Sequence, residues 1–198
     1  QYTVTSRVER LESRADPERS SSANSRDWIS EARRFAVRAG IRASRSRRSA
    51  ATEHYLEKCL AVPETLDADR IRALALEWVG PADTSFRKAR AIEERFRTTF
   101  GYTLEQKAQG NFIEDFLFNV KEGHCEYFAT SMAIMLRTLG IPARVVNGYY
   151  STEWNNIAHA FTVRQRDAHS WVEVYLGDDY GWMTFDPTPP SGVGRPVS

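Results

Sequence analysis

Apolar residues recur every three or four positions in three segments between residues 52 and 96, and this spacing predicts amphipathic helices. The segments are TEHYLEKCL, ADRIRALALEWV and FRKARAIEERF. Gly80-Pro81 separates the second helix from the third, and Asp83 or Thr84 is placed to cap the third. The predicted apolar faces are Tyr55, Leu56, Cys59 and Leu60, then Ile71, Leu74, Ala75 and Trp78, then Phe86, Ala89, Ile92 and Phe96.

The hydrophobic pattern changes after residue 120. GNFIEDFLF, just before this point, predicts a short helix or turn, whereas EYFATSMAIMLRTL is apolar on most sides and predicts a buried helix. Gly140 is placed to end that helix, and Pro142 prevents its continuation. ARVVNGYY, AFTVRQ, HSWVEVYL and GWMTFD then predict strands. Helices followed by an antiparallel sheet, with one buried helix at the junction, indicate an α+β fold.

The charge of the chain is unevenly distributed. At 198 residues and 41% hydrophobic composition the chain can form one domain with a sizeable core, and its formal net charge is +1. Residues 1–50 carry twelve Arg and six acidic residues, whereas residues 51–198 carry a net charge of −5. Such a basic segment could bind nucleic acid or anionic lipid, but no aromatic residues are interleaved with the arginines, so we favour a solvated leader and predict no nucleic-acid partner.

These patterns divide the chain into three parts. Residues 1–52 are predicted to be a partly disordered Arg/Ser-rich leader, with a candidate edge strand in QYTVTSRV and a weak amphipathic helix at 28–39. Residues 53–190 form the folded domain, and residues 191–198 form a Pro/Gly tail. No run approaches the ~18 apolar residues of a membrane span, and the start lacks the apolar region of a signal peptide. Because the chain starts at Gln1, we expect an excised or processed piece of a larger ectodomain.

The stretch GHCEYFAT places one of the two cysteines, Cys125, at the predicted start of the buried helix. A thiol there faces the positive end of the helix dipole and unpaired backbone N–H groups, which lower its pKa and favour the nucleophilic thiolate. The same N–H groups can bind a developing oxyanion. We expect Gly123 to let the backbone turn tightly in front of the thiol.

A thiolate nucleophile usually needs a histidine to share its proton, and the chain has four. His124 is adjacent to Cys125, but neighbouring side chains diverge at a helix start. His54 lies in an exposed-looking helix, and His159 precedes the AFTV strand. His169 begins the strand HSWVEVYL and is favoured because GWMTFD is predicted to pair with this strand in a hairpin.

The hairpin register brings Asp186 next to His169. If Tyr175 pairs with Tyr180, paired residue numbers add to 355 and Asp186 lies directly opposite His169. A two-residue loop at Asp178-Asp179 gives 357 and places Asp186 one diagonal step away on the same face. Asp167 is a rival partner two residues before His169, whereas Glu173 is ~13 Å along the strand and too far.

The residues alone leave alternatives open. Cys125 could be a packing residue, as Cys59 is expected to be, or the two thiols could form a disulfide outside the cytosol. A zinc site is weaker, because His124-Cys125, His159 and His169 match no usual ligand spacing. His169 alone could be an ordinary hairpin residue.

The blocks EGHCEYFATSMAIMLRTLGIPARVVNGYY, DAHSWVEVYL and GWMTFDPTPP resemble the transglutaminase-like core, and in particular that of bacterial membrane-anchored transglutaminase-like proteins. The strong resemblance covers about residues 111–190, and a weaker one reaches back to Leu60. It implies a papain-like α+β core in which N-terminal helices precede a buried helix carrying the nucleophile Cys125. The sheet then carries His169 as general acid and base and Asp186 as its orienting carboxylate.

The resemblance also implies a function and a location. It implies transamidation, deamidation or peptide hydrolysis through a thioester, on protein or peptide carbonyls and with an amine or water as acceptor. The domain would lie outside the cytoplasm, attached to the membrane only through flanking segments that this sequence does not contain. Animal transglutaminases use calcium, but beyond Asp178-Asp179 we find no acidic cluster and predict no metal or other cofactor. The alternative is a catalytically inactive extracytoplasmic module that binds peptide or cell-wall material.

Overall fold

The computed structural model describes residues 49–151 and 153–190. The predicted leader up to residue 48, with its edge strand and its helix at 28–39, and the predicted tail from residue 191 lie outside the described residues. None of the helices in the described ranges has the length and apolar character needed to cross a bilayer.

The helices form where the periodicity predicts them. Their bounds are Ala50–Lys58 (α1), Ala68–Val79 (α2), Ser85–Thr99 (α3), Phe112–Asp115 (α4), which runs into a π-helical turn at Phe116–Val120, and Cys125–Thr138 (α5). Of the two candidate caps for α3, Thr84 caps the helix by accepting the Arg87 N–H at 3.2 Å. Gly140 follows the end of α5 with a φ of +73°, a left-handed conformation that glycine adopts without strain.

The core is built around α5, which packs against α2 and α3 and against the sheet. Phe96, Phe100, Phe116 and Phe128 form an aromatic cluster with ring centroids 5.0–6.3 Å apart. Cys59 is buried, as predicted for a small apolar residue. Tyr55, predicted on the same face, is instead 42% exposed, because its ring lies at the surface against Trp182.

The main sheet has three antiparallel strands in the order β3-β6-β7, which are Ala143–Tyr149, Ala168–Tyr175 and Trp182–Phe185. Tyr175 pairs with Trp182, so the 357 register is correct and the register that pairs Tyr175 with Tyr180 is wrong. The reason is the connection: Gly177 and Gly181, both at positive φ, flank the Asp178-Asp179 turn, and the Leu176 N–H closes it on the Gly181 carbonyl at 2.9 Å.

Two short strand pairs lie outside this sheet. Gly101–Tyr102 (β1) pairs in parallel with Glu122–Gly123 (β2), a pairing that the hydrophobic pattern does not predict. Trp154–Asn155 (β4) pairs with Ala160–Phe161 (β5). AFTVRQ is therefore a strand only over its first two residues. It turns into a 3-10 helix at Gln165–Asp167 instead of joining the main sheet.

Candidate active site

Cys125 is the first residue of α5, and the extended residue His124 precedes it as N-cap. Its thiol is half-buried. Gly123 is the last residue of strand β2 and has no positive φ, so the expected tight turn does not form at this glycine. A Cβ at Gly123 would lie 3.1 Å from the Tyr127 ring and 3.2 Å from Phe116, and the glycine instead permits this close packing in front of the helix.

His169 and Asp186 are brought together by the edge of the hairpin. His169 is the second residue of β6 and is 9% exposed, and Asp186 follows the last residue of β7. The His169 Nε2 and Asp186 Oδ2 atoms are 2.7 Å apart. The other Asp186 oxygen, Oδ1, accepts the Thr188 N–H at 3.0 Å. The carboxylate is therefore fixed from two directions while it bonds the imidazole.

The imidazole lies between this carboxylate and the thiol. The Cys125 side chain interacts with His169 and with the N–H of Ser170, which is the next residue of β6. Because Asp186 bonds Nε2, the nitrogen left for the thiol is Nδ1. The structure thus places Cys125, His169 and Asp186 in one continuous chain of contacts.

The rival side chains have other partners. The Asp167 carboxylate accepts the Arg164 N–H at 2.7 Å in the 3-10 helix, and Glu173 accepts from Arg144 Nε at 2.7 Å. His124 packs against Tyr127 with ring centroids 4.7 Å apart. His54 lies 3.7 Å from Glu57 on exposed α1, and His159 is exposed in the loop between β4 and β5.

The electrostatics favour an ion pair between thiol and imidazole. Burial lowers the pKa of His169, but its contacts with Asp186 and Cys125 raise it to about 9, against an ordinary 6.5. Burial raises the pKa of the Cys125 thiol, whereas its contacts with His169 and Ser170 lower it more, to a net value below the ordinary one. Burial likewise raises the pKa of Asp186, and the neighbouring imidazole brings it below its usual range. All three shifts favour the charged forms of these groups, which are a thiolate, an imidazolium and a carboxylate.

Aromatic side chains surround the histidine. Its ring is stacked on Trp171 with centroids 6.2 Å apart and lies 6.3 Å from the Tyr150 ring. Tyr150 is 52% exposed, so this side of the imidazole borders solvent. Gly148, which is paired with His169 across β3 and β6, leaves room for Trp171, because a Cβ there would lie 2.6 Å from the indole.

The sequence reasoning missed two residues that contact the site. Ser170 is buried, and its hydroxyl donates to Asn147 Oδ1 at 2.7 Å. Glu93 is also buried, and its carboxylate accepts the N–H of Asp186 at 2.8 Å. The signal for Glu93 is its spacing, since it lies four residues after Ala89 and three before Phe96 on the apolar face of α3.

Two alternative chemistries concern a disulfide and a metal ion. Cys59 and Cys125 are both free thiols, so the structure does not contain the disulfide between them. Within residues 49–151 and 153–190, no three His, Cys, Asp or Glu side chains are grouped so that they could bind a metal ion.

Comparison with known proteins identifies relatives of the whole site region. A profile described as the transglutaminase-like superfamily matches residues 72–187. The uncharacterised protein YebA of Bacillus subtilis is 34% identical over 157 residues, which are 75% of this chain and 21% of YebA. A protein-glutamine gamma-glutamyltransferase of Pseudomonas aeruginosa is 45% identical over 100 residues, which are 50% of this chain and 15% of that protein.

One solved structure extends the similarity to three dimensions. The periplasmic domain of TgpA from Pseudomonas aeruginosa, bound to ethylmercury, superposes with a TM-score of 0.62 at 36% identity. The match covers 72% of this chain and 50% of that one. The chain thus spans about a fifth or less of the two full-length relatives and half of the solved domain.

Proposed function

Because the chain belongs to the transglutaminase-like superfamily, we propose that it catalyses thiol-dependent acyl transfer on the amide groups of proteins or peptides. In this proposal Cys125 is the nucleophile, His169 the general acid and base, and Asp186 the carboxylate that orients the imidazole. The observation that carries the proposal is the continuous contact from the Cys125 thiol through His169 to Asp186.

The first half-reaction forms a thioester. The Cys125 thiolate attacks the carbonyl carbon of the amide, and the negative charge that develops on oxygen faces the Cys125 N–H at the start of α5. The C–N bond then breaks, and the His169 imidazolium gives its proton to the departing nitrogen. Asp186 stabilises the imidazolium before this step and fixes the ring orientation throughout.

The second half-reaction regenerates the thiolate. An acceptor amine or water attacks the thioester carbon, neutral His169 takes the proton of the acceptor, and the C–S bond breaks. An amine acceptor gives transamidation. Water gives deamidation when the first leaving group was ammonia and peptide hydrolysis when it was a peptide amine. The named activity of the Pseudomonas relative supports the carboxamide of glutamine as acyl donor.

We further propose that this domain acts outside the cytoplasm as part of a membrane-anchored protein. The support is the similarity to a domain of TgpA that is periplasmic. The substrates would then be proteins or peptides exposed in that compartment.

An amine-incorporation assay tests the proposed reaction. The purified chain is incubated with a glutamine-rich protein and a fluorescent primary amine, while ammonia release and peptide fragments are followed in parallel. We expect acyl transfer that Cys125→Ala abolishes and that the matched variant Cys59→Ala retains. Activity of equal size in Cys125→Ala would overturn the assignment of the nucleophile. If alkylation shows that the Cys125 thiol is accessible but none of the three products forms, the alternative of an inactive binding module is favoured.

A further inference from the structure

Glu93 is a charged residue inside the apolar core. Its side chain lies on α3 between Ala89 and Phe96, and the residue is only 4% exposed. Acidic residues are almost never buried to this extent unless they are paired. The proposed acyl-transfer steps do not use Glu93, so the presence of this carboxyl group in the core needs another reason.

Both carboxylate oxygens of Glu93 have partners. Oε1 accepts the backbone N–H of Asp186 at 2.8 Å, and Oε2 forms an ion pair with Arg90, whose side chain is 50% exposed. Burial raises the pKa of Glu93 above its ordinary value, while the positive charges of Arg90 and Arg97 and the Asp186 N–H oppose this rise. The Arg90 contact compensates the burial of the charge.

The backbone of Asp186 needs such a partner because the sheet ends before it. The last pair of the β6–β7 ladder is Val172 with Phe185. Asp186 is the next residue, and Pro187 follows it without an N–H group. The Asp186 N–H therefore bonds a helix carboxylate rather than a neighbouring strand, and a bond to an ionised acceptor is stronger and better directed than one to a neutral acceptor.

We propose that Glu93 is a positioning residue: by accepting the Asp186 N–H it fixes the carboxylate that orients His169 toward Cys125. This hydrogen bond joins α3 to Asp186, the residue that directly follows β7 and carries the orienting carboxylate. It rests on the proposed function only for its effect on catalysis, because its effect on the His169–Asp186 contact can be measured without any substrate.

The test compares three variants of the whole chain. Glu93→Leu removes the acceptor while filling a similar volume, and Glu93→Gln retains a carbonyl oxygen that can accept the Asp186 N–H. Glu94→Leu is the matched control, because Glu94 is the exposed neighbour on the same helix. NMR titration of the His169 ring measures its pKa, iodoacetamide alkylation measures Cys125 reactivity, and circular dichroism confirms folding.

We expect Glu93→Leu to lower the pKa of His169 by about one pH unit and to slow Cys125 alkylation near pH 6 by about tenfold. Glu93→Gln should stay within about threefold of the wild type, and Glu94→Leu should match it. A folded Glu93→Leu protein with wild-type titration and alkylation would overturn the proposal. If Glu93→Leu fails to fold, the test is the NMR chemical shift of the Asp186 amide proton in Glu93→Gln. This resonance should move upfield, and an unchanged chemical shift would overturn the proposal.

The two proposals fail in different ways. If wild-type Cys125 reacts as an ordinary thiol, the proposed function fails, yet the His169 titration still tests Glu93. If Asp186→Asn reduces Cys125 reactivity and Glu93→Leu does not, the proposed function stands and the role of Glu93 is refuted.

Discussion

Replacing Asp186 with asparagine should separate the charge of the orienting group from its shape. The asparagine carbonyl can still accept the Thr188 N–H, which Asp186 accepts at 3.0 Å. What is lost is the negative charge 2.7 Å from His169 Nε2, together with the acceptor oxygen there, which an NH2 group replaces. The imidazolium should therefore lose its main stabilising partner while the hairpin stays folded.

The expected change in the pKa of His169 can be worked out from its present shift. The pKa of His169 is raised from 6.5 to about 9, and at about 1.4 kcal/mol per pH unit this favours the imidazolium by roughly 3 kcal/mol. Burial of the ring acts in the opposite direction, so Asp186 and Cys125 together contribute more than this net value. Asp186 is the larger contributor of the two, and we expect Asp186→Asn to lower the pKa of His169 by about one to two pH units.

The assay is an NMR titration of the His169 ring, with Cys125 alkylation rates measured in parallel. A less stable imidazolium leaves less thiolate near pH 6, so alkylation should slow by about ten- to a hundredfold. Asp167→Asn is the matched control, because the Asp167 carboxylate accepts the Arg164 N–H instead. An unchanged pKa of His169 in folded Asp186→Asn would refute the reasoning.

The protonation of His169, the packing beside its ring and the aromatic core can each be tested separately. The rate of acyl transfer should fall as the pH rises through about 9, because His169 then loses the proton that the departing nitrogen needs. A pH–rate profile that is flat to pH 10 would contradict this. Gly148→Ala places a methyl group 2.6 Å from the Trp171 ring, which is stacked on His169. Alkylation of Cys125 should therefore slow by about tenfold in a chain that remains folded, and a wild-type alkylation rate would contradict this prediction. Phe96→Ala removes the centre of the aromatic cluster and should lower the free energy of unfolding, measured with urea, by about 3–5 kcal/mol. A decrease of less than about 1 kcal/mol would contradict the described packing.

The fold could be predicted from the sequence wherever local periodicity determines the structure. The apolar stripe of α3, the all-round hydrophobicity of α5 and the alternation in β6 each have one compatible secondary structure. The hairpin register was harder. Alternation fixes which residues share a face, and both registers satisfied it, whereas the choice between them depended on the left-handed conformations of Gly177 and Gly181.

The candidate site likewise combines residues that local sequence patterns predict with contacts that they do not. The positions of Cys125 at a helix start and of Asp186 after a strand are local features. The predicted hairpin register places Asp186 beside His169, and the family resemblance relates this pair to Cys125. The contact of Glu93 with Asp186 joins residues 93 positions apart, and no local pattern encodes it. The β1–β2 pair is likewise a contact between distant short segments, with too few residues to show an alternation.

The proposed reaction depends on a Cys125 thiolate that is activated by His169. The most direct measurement is the pH profile of iodoacetamide alkylation, read by peptide mapping so that buried Cys59 serves as an internal reference. We predict rapid alkylation of Cys125 below pH 7 and loss of this reactivity in His169→Ala. Alkylation of Cys125 with an ordinary thiol pKa near ~8.5, unchanged in His169→Ala, would contradict it.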